Sequence, residues 1–143
     1  GNIVIRHLIA DLQDNQKHSQ LLSRCQRMVM LGPPNQGAAI ARQLSSLGMF
    51  EWIAGEGAME LGPDWDEFSE SLATPPFPFS IVAGELENKA IQNPLLDNAS
   101  DFVVEVDEAR LEGSESFVVV SALHSFLMKD TQVQEFVVDF LCQ

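Results

Sequence analysis

The chain has 143 residues, 45% of them hydrophobic and 20% charged, which is enough to bury a core and too apolar for a disordered chain. Its formal charge of −13, from 21 acids against 8 bases, repels phosphate backbones and excludes nucleic acid as an expected partner. No apolar run approaches the roughly 20 residues that span a bilayer, so no transmembrane segment is expected. Residues 1–6 lack the basic segment, longer apolar core and cleavage site of a signal peptide.

Residues 3 to about 22 carry Ile5, Leu8, Ile9 and Leu12 at helical spacing, which predicts a helix with Arg6, Asp11 and Asp14 on the opposite side. Asn2 is placed to cap it. Met28-Val29-Met30-Leu31 is a short apolar run stopped by Gly32-Pro33-Pro34-Asn35-Gln36-Gly37, which reads as a buried strand entering a turn. Residues 38–47 fit a helix and residues 49–54 a second apolar turn or short helix. The stretch 55–78, with three Gly and four Pro, is loop-rich, with room for a helix over 66–72. Residues 79–84 form a second strand stopped by Gly84, and an acidic, Asn-rich loop follows to Ser100.

Residues 102–106 read as a short strand or strand-like segment, and residues 117–121 as the clearest strand. The clearest helix covers 133–141, where Val133, Phe136, Val137, Phe140 and Leu141 form one apolar face. Its start is marked by a Thr131 and Gln134 capping box or by an Asp130 cap. Short apolar strands alternating with helices predict a single α/β domain over 1–143, with mostly parallel strands flanked by helices. Ligands gather at the carboxyl ends of such strands, so the loops at Gly32, Gly84 and His124 are expected along one edge.

His124 stands out. It directly follows an apolar, β-branched run, with an acidic loop one element earlier, and several hydrolases present a general base in this way. The plainer alternative is a loop histidine capping a backbone group. His7 and His18 lie on the first helix and are expected to face solvent. Cys25 and Cys142 read as free thiols. With three histidines and two cysteines lacking finger-like spacing, neither a metal nor a cofactor is expected. Trp52, Trp65 and Phe50 either line a pocket or, the favoured reading, pack a satellite core. Asn35-Gln36-Gly37 reads as a turn with Gly37 taking the unusual backbone angle. The run Glu105, Asp107, Glu108 reads as a solvated face.

Four segments, in order, resemble the C-terminal half of the bacterial lipase/esterase branch of the α/β-hydrolases. Gly1-Asn2-Ile3-Val4-Ile5-Arg6 resembles the start of the helix after the nucleophile elbow, where members read Gly-Gly-x-x-x-x-Arg. Arg27-Met28-Val29-Met30-Leu31-Gly32-Pro33-Pro34-Asn35-Gln36-Gly37 resembles the strand and turn reading Leu-Gly-Thr-Pro-Asn-x-Gly. Residues 101–113, ending Ala109-Arg110-Leu111-Glu112-Gly113, resemble the loop of the catalytic acid, and residues 120–128 that of the catalytic histidine. The resemblance implies a partial α/β-hydrolase sheet without its N-terminal strands and nucleophile elbow. It also implies the chain order Ser, Asp, His.

By position, Asp101 is then the acid and His124 the base, with Asp97 and Asp107 as competing acids. The serine would lie three residues before Gly1, and no Gly-x-Ser-x-Gly occurs in the chain. The oxyanion hole would also fall outside it. Two departures from the family pattern are Phe102, where members have glycine after the acid, and Pro33, where threonine is commoner.

Two functional expectations follow. In one, the chain is the C-terminal part of a serine hydrolase of carboxylic esters. The complete protein would act on a small-molecule or lipid ester. The chain alone would be inactive, since losing even one triad member leaves only roughly 10³–10⁴-fold catalysis over water. In the other, it is a non-catalytic half-hydrolase that self-associates or binds a partner through an exposed sheet edge and the apolar first helix.

Overall fold

The computed structural model describes residues 1–15, 19–37, 65–86 and 99–143. Three strands, β1 (Met28–Leu31), β2 (Phe79–Gly84) and β3 (Ser116–Val120), form a parallel sheet in the order β1-β2-β3. Met28 aligns with Phe79 on one side of the sheet, and Ser80 aligns with Ser116 on the other. The parallel sheet flanked by helices is the α/β architecture that the alternating pattern predicts.

All six residues of β2 are buried. Its alternate side chains serve two cores, as the two-residue period of a strand requires. Phe79, Ile81 and Ala83 pack with Met30, Val104 and Ala109 on one face. Val82 packs with Val120, Leu127 and Val133 on the other, joined by Phe136 and Val137. A strand covered on both faces reads as a continuous apolar run, which is what residues 79–84 show. The run at 117–120 is apolar throughout, yet it is not buried as β2 is. Among the described residues it is an edge strand, with Val119 42% exposed and only Val120 buried.

Helix α1 spans Asn2–Asp14, shorter than its periodicity suggests, and ends at Asn15, whose extended backbone stops it. A separate 3₁₀ segment covers Ser19–Arg24. Asn2 does not cap α1; its side chain donates to the Leu31 carbonyl and ties the start of the helix to the end of β1. The buried face of α1 is also not the expected one, because Arg6 is buried beside Ile9 while Ile5 and Leu8 are exposed.

Helix α2 (Trp65–Ser69) falls within the expected loop-rich stretch. Its Trp65 is buried and meets Phe68 edge-on, in line with packing rather than a pocket. Helix α3 (Thr131–Leu141) is capped by Asp130, whose carboxylate accepts from the N–H groups of Gln132 and Val133. Gln134 donates to the Met128 carbonyl, so the simple cap forms rather than the box.

Residues 102–106 form bends closed by a single antiparallel bridge between Ser100 and Glu105 rather than a strand. The Asp101 side chain takes the N–H groups of Val103 and Val104, which a ladder would need. The helices expected over 38–47 and 49–54, and residues His18, Phe50, Trp52 and Asp97, lie outside the described residues. Among the described residues, no helix is long and apolar enough to cross a membrane.

Candidate active site

The carboxyl ends of the three strands converge. β1 runs into Gly32, β2 ends at Gly84, and β3 leads through Ser121 to a 3₁₀ segment opening at His124. Glycine at the first two positions is a spatial requirement. A Cβ on Gly32 would lie 2.8 Å from Nδ1 of His124 and 3.0 Å from Oδ2 of Asp101, and the residue sits at φ +52°. A Cβ on Gly84 would lie 2.5 Å from the Ala122 carbonyl oxygen and 2.6 Å from the Asp101 Cβ. The two strand ends leave room for one pair of side chains.

That pair is Asp101 and His124. Oδ2 of Asp101 lies 2.7 Å from Nδ1 of His124, and the Asp101 side chain is 1% exposed against 36% for His124. Their backbones are joined as well, with His124 N–H donating to the Asp101 carbonyl at 2.9 Å. Oδ1 accepts from Val103 N–H at 3.0 Å and Val104 N–H at 2.8 Å. With the carboxylate accepting, Nδ1 carries the proton and Nε2 keeps its lone pair. Among the described residues Nε2 has no hydrogen-bond partner. A half-exposed imidazole held in this tautomer is equipped to take up a proton.

The turn after Asp101 forms without glycine. Phe102 adopts φ +82°, the only non-glycine residue at positive φ among those described, and its ring is left 41% exposed. Of the competing acids, Asp107 faces solvent and pairs with Arg110 at 3.0 Å. The acidic run around it is not a solvated face throughout. Glu105 and Glu108 are buried, and Oε2 of Glu108 accepts the Glu105 N–H. Their placement follows the chain reversal that the Asp101 side chain imposes. Gly37 does take a positive φ, of +83°.

His7 is exposed, stacks against Phe68 and lies 3.2 Å from the Ser71 hydroxyl. That hydroxyl donates its proton to the Phe68 carbonyl, so the pair is not an activated nucleophile. Cys25 and Cys142 are exposed free thiols. No group of three or more His, Cys, Asp or Glu is placed to hold a metal among the described residues.

The His124 pKa is raised above the ordinary histidine value. The Asp101 hydrogen bond is the largest cause; burial opposes it, the Asp101 charge adds to it, and the amino-terminal charge of Gly1 opposes it.

No protein-family profile matches the chain, and no curated protein sequence does. Among solved structures it is similar to the Bacillus licheniformis lipase BlEst2 in its mature form, with a TM-score of 0.56 and 18% identity. The fold is lipase-like. The match covers 81% of this chain and 54% of the lipase, so the chain spans about half the length of that protein. The three parallel strands and their flanking helices thus match part of an α/β-hydrolase-like fold.

The strained turn and the paired imidazole each have a measurable consequence. A left-handed conformation costs a side-chain-bearing residue about 1–2 kcal/mol, and glycine's extra unfolded-state freedom returns part of that. Phe102→Gly is therefore expected to stabilise the chain by roughly 0.5–1 kcal/mol in urea unfolding. A loss of stability would show that the Phe102 ring contributes more than its backbone costs.

For His124, the folded pKa is raised, so its contribution to stability is complete below the unfolded value of about 6.5 and is lost as pH rises through the folded value. An NMR titration should place His124 above an ordinary histidine and lose that shift in Asp101→Asn.

Proposed function

We propose that this chain supplies the acid and base of a Ser-Asp-His hydrolase acting on carboxylic esters, as the C-terminal part of a bacterial lipase- or esterase-type domain. Asp101 orients His124, and the serine comes from a segment preceding Gly1. The observation that carries this reading is the buried Asp101 carboxylate on Nδ1 of His124, with Nε2 unpaired among the described residues, at the carboxyl ends of parallel strands. The lipase-like fold supports it.

In the reaction, Nε2 takes the serine hydroxyl proton as the serine oxygen bonds to the ester carbonyl carbon. The imidazolium, stabilised by Asp101, then gives that proton to the departing alcohol, leaving an acyl-serine. Water repeats the sequence, with Nε2 taking its proton, and releases the acid. The start of α1, tied to Leu31, is the place from which a preceding serine would reach Nε2.

The test is a longer version of the protein carrying a Gly-x-Ser-x-Gly segment before Gly1. A fluorophosphonate probe should label its serine, and Asp101→Asn should lower kcat for a short-chain ester by about 10⁴-fold. His124→Ala should abolish labelling at practical rates. Labelling of the present chain alone, or full ester hydrolysis without His124, would sink the proposal.

A second reading, self-association as a binding module, draws on the outer edge of β1. Met28 N–H and Gly32 N–H bond to the β2 side, so Val29 and Leu31 direct their backbone groups outward. No strand pairs there among the described residues, and Val4, Ile5 and Leu8 of α1 are exposed. Sedimentation of the purified chain should then show a concentration-dependent dimer; a monomer throughout the micromolar range rules this reading out.

A further inference from the structure

Arg6 is 6% exposed, and burial lowers its pKa from the usual arginine value. Among the described residues no carboxylate lies within ion-pair distance of it. A buried cation without a counter-charge costs several kcal/mol unless its donors are met. A methionine would fill a similar volume without that cost, so the guanidinium's bonds must be what the site uses.

Those bonds join three segments. Nε donates to the Ala73 carbonyl at 3.0 Å, and the Ala73 N–H returns a bond to the Arg6 carbonyl at 3.3 Å. Nη1 donates to Oδ1 of Asn35 at 3.1 Å and to the Asn35 carbonyl at 3.5 Å. Asn35, itself 3% exposed, passes the connection on: its Nδ2 donates to the Ala109 carbonyl at 2.9 Å. Next to it, Gln36 N–H donates to the Glu108 carbonyl, and its side chain to that of Arg110. The turn that Arg6 grips therefore grips the far end of the loop that begins at Asp101. The same turn starts at Gly32, which lies against both His124 and Asp101.

We propose that Arg6 is a positioning residue, locking α1 through Asn35 to the Asp101 loop and so fixing the Asp101–His124 pair relative to the start of α1. The importance of that placement for catalysis rests on the proposed function, since the start of α1 is where the serine would arrive. The mechanical coupling does not, and it is measurable in this chain.

The experiment compares Arg6→Lys, Arg6→Met, Asn35→Ala and the Arg6→Met/Asn35→Ala double variant by NMR, following the His124 titration and its Nδ1 proton. Lysine keeps the charge but cannot reproduce the planar fork, so it remains informative where Arg6→Met fails to fold. The expected result is a His124 pKa that falls part of the way towards its value in Asp101→Asn, in every variant that folds. The double variant should fall no further than the larger single change, because both act on one path. Removing the Arg6 charge by itself would raise the His124 pKa, so a fall reports geometry.

If melting temperatures drop while the His124 titration stays put or rises, Arg6 is only a structural residue and the proposal is overturned. In the longer protein, Arg6→Lys should lower kcat by roughly 10- to 100-fold with KM unchanged, the signature of a misplaced catalytic group. A raised KM at unchanged kcat overturns the proposal too. Absence of ester hydrolysis in the unsubstituted longer protein would instead count against the proposed function, leaving the NMR result to judge Arg6.

Discussion

The burial of one carboxylate organises this end of the molecule. Asp101 is almost fully removed from water, and a buried carboxylate without partners costs far more than a small domain has to spare. Both of its oxygens are accordingly committed, Oδ1 to the amides of Val103 and Val104 and Oδ2 to His124. Several other features follow from that commitment. The amides donated to Oδ1 cannot join a strand, so residues 102–106 bend. The bend carries the chain back under Asp101, and Glu105 and Glu108 are buried with it. The imidazole and Oδ2 leave no space for a side chain at position 32, and the Asp101 Cβ with the Ala122 carbonyl leaves none at position 84.

Magnitudes explain why Phe102 tolerates its backbone. Holding a bulky residue at positive φ costs about 1–2 kcal/mol. Relaxing it would pull the Val103 and Val104 amides off Oδ1, and each hydrogen bond to a charged group contributes roughly 1.5–3 kcal/mol. Two such bonds outweigh one strained residue, so the turn forms although its sequence lacks the glycine. Strain held in place by surrounding bonds is a common mark of sites where geometry matters more than local comfort.

The same physics decides what the sequence reveals. Strands β1 and β2 are readable because a strand buried in a parallel sheet must be apolar, and glycine must end it where another loop passes close. His124 is readable from its place at the end of such a run. The exposure of β3 is not, since Phe117-Val118-Val119-Val120 is as apolar as a central strand and only topology puts it at the edge. Arg6 escapes the pattern because periodicity assigns a charged residue to the wet face. Its carbonyl partners, at Asn35 and Ala73, lie 29 and 67 residues away in the chain. The choice between Asp101 and Asp107 is likewise beyond composition. Both are acids in one loop, and packing sends one to the imidazole and the other to Arg110.

Opposed influences meet at His124. Asp101 favours the imidazolium through its hydrogen bond and its charge, whereas burial and the amino group of Gly1 disfavour it. A general base works best with its pKa near the working pH, because a strongly raised value leaves it already protonated. Asp101 alone would push in that direction. Burial of the imidazole pushes back. The geometry of the Asp101 loop thus bears on the protonation of the base, and the Arg6–Asn35 and Asn35–Ala109 bonds tie α1 to the far end of that loop.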